Sequence, residues 1–338
     1  MSLETAQQIL EPLLRTSGDT LVVTLMGAET LMAESMIRPL VEWVEQGNWQ
    51  RNCLFFGSTN GTLLTPELKQ WFFDHRKTIT LGLSYDGIPS AQQSNRGTAS
   101  GSIDLDFFRN TWPNQKIQMT INAESVYSMA EGVIYLLERG FAVNANAAYE
   151  ANDWPRKSLQ EYYRQLRILS DYYLEHPQAK KIYQFIHSLN EYAQNIQSPP
   201  QQKQMCGAGE GFWVFDVDGQ YYPCHMLSPL VLTVQQLASL KSCMFGCDCD
   251  FSDPRCKNCP FVTDCPTCIG CNYIHRGDPG RRDFTHCCLM EAEVRATMRL
   301  ELKRLKIKDK LNSEDALLLQ SITAIKSFFE AHNRHKIP

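Results

Sequence analysis

Twelve of the 13 cysteines in this chain lie between Cys206 and Cys288. In a long chain without a basic-then-apolar leader, thiols crowded in this way read as metal ligands rather than disulfides. The odd count points the same way. The spacing is Cys206, Cys224, Cys243, Cys247, Cys249, then Cys256-x2-Cys259-x5-Cys265-x2-Cys268-x2-Cys271, then Cys287–Cys288. Thiolates hold either tetrahedral zinc or iron–sulfur clusters. Cys256/Cys259 with Cys268/Cys271 would make one zinc site but leave most of the other thiols unexplained. Ligands scattered this widely suit two cubane clusters, whose corners lie farther apart than the ligands of one zinc ion. On spacing alone both chemistries stay open. The segment is dense in Gly, Pro and Asp and poor in core residues, so it is expected to need its metal to fold.

The rest of the chain is ordinary in composition and strongly patterned. At 338 residues, 43% hydrophobic and 10% aromatic, it has the length of roughly two domains and can bury a core. With 33 basic and 37 acidic residues the net charge is −4, so no positive field attracts nucleic acid or an anionic membrane. No apolar run reaches membrane-spanning length. These features predict a cytoplasmic protein with no nucleic-acid or membrane partner.

Residues 1–150 alternate short apolar runs (21–25, 52–57, 78–84, 117–122, 141–147) with helical periodicity (4–14, 29–46, 66–75, 126–139). A polar loop is expected over 86–102. Such alternation predicts an α/β fold of parallel β/α units. Five strands are too few for a closed eight-stranded barrel and suit an open, partial one. Residues 151–203 read as a helical, tyrosine-rich connector ending in Ser198–Pro199–Pro200. Residues 204–290 form the cysteine-rich domain, and 291–338 a charged, amphipathic helical tail.

Several motifs in series resemble radical S-adenosylmethionine (SAM) enzymes that carry a SPASM domain. In the cysteine-rich part they are Gly219-x4-Cys224 within Asp216–Val217–Asp218–Gly219–Gln220–Tyr221–Tyr222–Pro223–Cys224–His225, and Cys256-x2-Cys259-x5-Cys265 with a distal Cys287 or Cys288. In the first part they are Thr59–Asn60–Gly61, Leu83–Ser84–Tyr85–Asp86–Gly87, and Asn95–Arg96–Gly97 followed by Gly101–Ser102. The resemblance covers about residues 3–290. It implies a partial (β/α)6-type barrel whose first strand is missing, a small Fe–S domain and C-terminal helices. It also implies radical modification of a peptide or protein, up to two auxiliary [4Fe–4S] clusters, and a reductant such as flavodoxin or ferredoxin.

The resemblance assigns Cys256, Cys259, Cys265 and Cys287 (or Cys288) to a distal cluster. It assigns Cys206, Cys224 and Cys268 or Cys271 to a proximal one, with Cys243, Cys247 and Cys249 as alternatives. The usual position of one ligand is here Ile269, between Cys268 and Cys271. Gly27, Glu29, Asn60, Ser84, Arg96 and Asn122 would contact SAM. His225, beside Cys224, would do proton work. The plain alternatives are a strand-ending turn and helix-start carboxylate for Gly27 and Glu29, a turn for Asn60, a solvated charge for Arg96 and a strand cap for Asn122. Cys53 reads as a small core residue.

One family element is absent. The Cys-x3-Cys-x2-Cys loop that would hold the SAM-cleaving cluster does not occur, and Cys243-x3-Cys247-x-Cys249 is one residue short. The Gly-Gly-Glu-Pro signature reads Gly27–Ala28–Glu29–Thr30. The chain is then either a truncated form, bound to SAM only if an N-terminal cluster is supplied, or a degenerate relative that binds a peptide or partner enzyme. A zinc-stabilised interaction module is the third reading.

Overall fold

The computed structural model describes residues 1–97, 100–148, 154–200, 206–209, 211–240 and 251–332. The elements in order are α1 (Leu3–Leu14), β1 (Leu21–Leu25), α2 (Glu34–Gln46), β2 (Cys53–Thr59), α3 (Pro66–Asp74), β3 (Ile79–Leu83), α4 (Pro89–Arg96), α5 (Leu105–Thr111), β4 (Lys116–Ile121), α6 (Met129–Glu138) and β5 (Ala142–Ala147). They are followed by α7 (Arg156–Glu175), α8 (Leu189–Gln197), β6 (Val214–Phe215), β7 (Tyr221–Tyr222), α9 (Val234–Leu240), α10 (Ile269–Arg276), α11 (Thr285–Lys306) and α12 (Ser313–Ala331). The chain divides into two compact units. One comprises Met1–Thr120, Tyr135–Asn146 and Phe215–Tyr221, the other Ile121–Ile134, Ala147–Val214 and Tyr222–Pro338.

In the first unit β1, β2 and β3 form a parallel sheet in sequence order, with Leu21 opposite Cys53 and Phe55 opposite Ile79. β4 pairs with β5, and a single parallel bridge from Ser84 to Gln118 continues β3 toward β4. Alternate residues of β2 (Cys53, Phe55, Gly57, Thr59) are buried, while Leu54 and Ser58 are exposed. That period of two marks a sheet with one covered face. The core holds Leu10 and Leu14 of α1, Ile37, Leu40 and Val41 of α2, and Leu68 and Phe72 of α3. The expected α/β class and the five strands are present.

Two expectations are corrected. The polar loop at 86–102 contains α4, a helix started by Pro89 and ended by Gly97 in the left-handed conformation. The tyrosine-rich helical stretch is interrupted. α7 stops at Glu175 just before Pro177, and α8 begins only at Leu189, capped by Ser188.

Two hydrophobic clusters among the described residues of the second unit bear on the site. The larger joins Leu189 and Tyr192 of α8, Phe261, Met290, Val294 and Met298 of α11, and Ile322 and Ile325 of α12. The smaller joins Ala208, Cys224, Leu227, Leu232 and Ile269. α7 packs along α11, where the Tyr162 hydroxyl donates to Glu293 Oε1 at 2.6 Å. Among the described residues no helix is long and apolar enough to cross a membrane.

Candidate functional site

Among the described cysteines of the second unit two groups converge, each beside a hydrophobic cluster. The first group is built on a run of tight turns. Asp253 caps a short 3-10 helix at Pro254–Cys256, and backbone bonds then link Cys259 to Cys256, Val262 to Cys259 and Cys265 to Phe261. Turns of this pitch put Cys256 and Cys259 on one side, as a Cys-x2-Cys spacing requires. Phe261, inside the same run, is a core residue, so the loop is anchored by burial rather than by a sheet. From α8, Tyr192 donates to Asp264 Oδ2 at 2.6 Å and Asn195 to the Pro260 carbonyl at 2.9 Å. Cys287 arrives from the first turn of α11.

Cys256, Cys259, Cys265 and Cys287 all line one cavity of about 510 Å³, together with Arg282. Cys288 is not among its lining residues. Burial pushes all four thiols up, Cys287 to about 12 and Cys265 well beyond its ordinary value. Mutual proximity adds to the effect, and the Arg282 cation opposes it at Cys256, Cys259 and Cys265. A positive charge among these thiols, such as a metal centre supplies, would favour their ionisation. Among the described residues no three Cys, His, Asp or Glu groups are close enough to hold a single metal ion. Four thiols around a roomy cavity suit a larger centre.

The raised values make a prediction about the metal-free chain. Thiols, and the phenols of Tyr173 and Tyr183 (each pushed to about 12 by burial), stay neutral when folded but ionise near their ordinary values when unfolded. Their contribution is therefore complete below about pH 9 and is lost as pH rises toward 12. The melting midpoint of the apo protein is expected to fall steadily from pH 9 to pH 11. A midpoint that holds or rises over that range would contradict the burial of these groups.

The second group is smaller. The β6–β7 hairpin turns at Gly219, whose φ of +81° suits glycine, with the Asp216 amide bonded to the Gln220 carbonyl at 3.0 Å. It delivers Cys224, which is buried, to the start of a 3-10 turn at His225–Leu227. Cys268 caps α10, its sulfur accepting from the Cys271 amide at 3.5 Å. Gly270 permits this approach: a Cβ there would lie 2.5 Å from the Cβ of Met226. Burial, then the nearby Cys268 and Cys206, raise the Cys224 thiol, so these three share one neighbourhood. Cys206 is exposed. His225 Nδ1 lies 3.8 Å from Cys224 Sγ, and burial lowers its basicity. Cys243, Cys247 and Cys249 lie outside the described residues.

In the first unit Gly27, Glu29, Asn60 and Ser84 follow the carboxyl ends of three adjacent parallel strands. Ligands of parallel α/β folds gather at that end. Glu29 ties the turns together: Oε1 accepts from the Thr59 hydroxyl at 2.7 Å and the Leu31 amide at 3.1 Å, and Oε2 from the Asn60 amide at 2.9 Å. Ser84 donates its amide to the Thr59 carbonyl at 2.8 Å. Gly27 is exposed with open space around it. Arg96 is engaged elsewhere, with Nε and one terminal nitrogen each 2.9 Å from the two oxygens of the buried Asp86. Asn122 belongs to the other unit, where its side chain accepts from the Glu124 and Ser125 amides at 2.9 and 2.7 Å.

Two residues given no role by the sequence reading also shape these sites. Asp86 decides what Arg96 can do, and Arg282 sits among the thiols. The Asp253–Pro254–Arg255 run before Cys256 carries a helix-cap signal. Nothing local marks Arg282, which lies 17 residues beyond Cys265.

No family model matches the sequence, and no curated protein matches it. Solved structures do. Hexahistidine-tagged anSMEcpe with bound AdoMet aligns at a TM-score of 0.61 and 15% identity, over 95% of this chain and 89% of that one. Native anSMEcpe with bound AdoMet and Cp18Cys peptide aligns at 0.63 and 15%, over 90% and 91%. Streptococcus suis SuiB aligns at 0.57 and 16%, over 84% of this chain and 70% of that one. The chain has a radical SAM/SPASM-like fold.

Proposed function

We propose that the chain is a cytoplasmic radical SAM/SPASM-type protein that holds up to two [4Fe–4S] clusters and serves the modification of a peptide or protein. The observation that carries this reading is the cavity lined by Cys256, Cys259, Cys265 and Cys287, contributed by two separate segments. The donor set fits an iron–sulfur centre: four thiols line one cavity, Cys265 buried and the other three part-buried, with the cation of Arg282 in the same wall. Such a centre, when bound, accepts and passes single electrons. Cys206, Cys224 and Cys268 would hold the second cluster, with Cys271 within one helical turn. Glu29, Asn60 and Ser84 form a hydrogen-bonded rim at the strand ends, suited to a small polar ligand such as SAM. The similarity to a structure with a bound peptide supports a peptide or protein substrate. The electron donor would be a flavodoxin or ferredoxin.

A second reading, a non-catalytic Fe–S protein that binds a peptide or partner enzyme, is favoured by one observation. Only Cys53 precedes Cys206 in the chain. Both readings require clusters, so metal analysis comes first. Anaerobic reconstitution is expected to give about eight irons with matching sulfide, four per cubane, and broad absorbance near 400 nm. Stoichiometric zinc without sulfide would sink both readings in favour of a zinc module.

A further inference from the structure

Arg282 is a buried cation, 5% exposed, in the wall of the four-cysteine cavity. Its position is fixed from three directions. Its amide donates to Asp253 Oδ2 at 2.9 Å, its carbonyl accepts from Arg255 at 2.6 Å, and one terminal nitrogen donates to the Cys265 carbonyl at 3.1 Å. Its charge has no carboxylate partner among the described residues. Asp253 is held by Arg255 at 2.5 Å, Asp283 faces Arg276 at 3.8 Å, and Glu291 pairs with Arg295 at 2.7 Å. Its Nε–H is buried with no hydrogen-bond partner. A guanidinium withdrawn from water and left unpaired is strongly unfavourable, and an unmade charged hydrogen bond adds to the cost. The side chain is therefore placed for an anion that occupies the cavity.

We infer that Arg282 is the charge partner of the cluster held by Cys256, Cys259, Cys265 and Cys287, its buried cation in the cavity wall favouring the reduced state of that cluster. This rests on the iron–sulfur reading above. A four-thiolate cubane is net negative and becomes one unit more negative on reduction, so a fixed neighbouring cation stabilises the reduced form more. Arg282 acts through its charge. It is a positioning and tuning group, neither a ligand nor a proton carrier.

The test uses the full chain with Cys224→Ala, so that only this cluster is read. The protein is reconstituted anaerobically as Arg282, Arg282→Lys and Arg282→Gln. Two quantities are measured: the reduced fraction by electron paramagnetic resonance at a fixed dithionite poise, and the rate of iron loss to a chelator. Losing the neighbouring charge should lower the reduced-to-oxidised ratio about tenfold in Arg282→Gln, equivalent to about 59 mV for a one-electron couple. Iron loss should quicken by a similar factor. Arg282→Lys should fall between the two in both readings, because it keeps the charge and loses the fork. Failure of Arg282→Gln alone to load, with Arg282→Lys loading, supports the inference. Loading at unchanged potential and unchanged iron retention in both variants overturns it and leaves the iron–sulfur reading standing. Lys behaving as Gln does, including loss of loading in both, overturns it because charge is then immaterial. Absence of iron and sulfide in the Arg282 protein overturns both.

Discussion

Given iron, sulfide, SAM and dithionite, the 338-residue chain is expected to form no 5′-deoxyadenosine. By its resemblance to radical SAM enzymes, SAM cleavage calls for a cluster with an open iron, held over the barrel mouth by three closely spaced thiolates. The first unit offers one thiol. Cys53 lies in β2 at 8% exposure, and burial pushes it to about 11. It is one of the alternate β2 residues turned into the core, beside Phe55 and Gly57. A single protonated, inward-facing thiol holds no cubane. The Arg96 guanidinium is paired with Asp86. A segment bearing Cys-x3-Cys-x2-Cys, fused or added in trans, should restore cleavage from zero to many turnovers. Robust cleavage by the chain alone, persisting in Cys53→Ala, would mean that the cysteines beyond residue 205 form the cleaving site.

Cys259→Ala is expected to abolish the cluster in the four-cysteine cavity and to loosen the whole cysteine-rich segment. Cys259 packs against the larger hydrophobic cluster, two residues before Phe261, which lies in it. The turns from Asp253 to Cys265 contain only one short 3-10 helix, so the loop has little regular backbone bonding to fall back on. Metal-site folding energies of about 10–16 kcal/mol are comparable with the whole stability of a domain, about 5–15 kcal/mol. The variant should lose about half of its iron, and its carboxy-terminal half should become protease-sensitive while the β/α half stays resistant. Cys288→Ala is the control: that thiol does not line the cavity and should change little. Equal resistance in wild type and Cys259→Ala would show that the segment folds without its centre.

The β/α part of the fold is legible because it obeys simple periods. Leu21–Leu25 and Ile79–Leu83 are short apolar runs, and Pro66 opens α3 as a first-turn proline. α4 escapes notice because Pro89 to Arg96 is almost wholly polar, and only Ala91 and Gln92 are buried. The interruption at Pro177 escapes because the helical period resumes after it. The cysteine spacing shows that metal chemistry is present but not which thiols converge. Cys287 and Cys288 are neighbours in sequence, yet adjacent residues of a helix face directions about 100° apart, so only one can turn to a given cavity. Arg282 carries no local signal and Asp86 stands out only as part of a motif, because their roles lie in what other segments place beside them.

The two cysteine groups differ in how far water, and what water carries, can reach them. Cys256, Cys259, Cys265 and Cys287 are buried or part-buried in a cavity that α11, α12 and the turns around Phe261 also line, whereas Cys206 is exposed. Dissolved oxygen and peroxide attack a cluster at its most accessible corner, and exposure of a thiolate governs how readily it is oxidised. Air would then dismantle the centre at Cys206 and Cys224 first. A briefly aerated preparation would be a half-loaded protein whose surviving centre is the one beside Arg282.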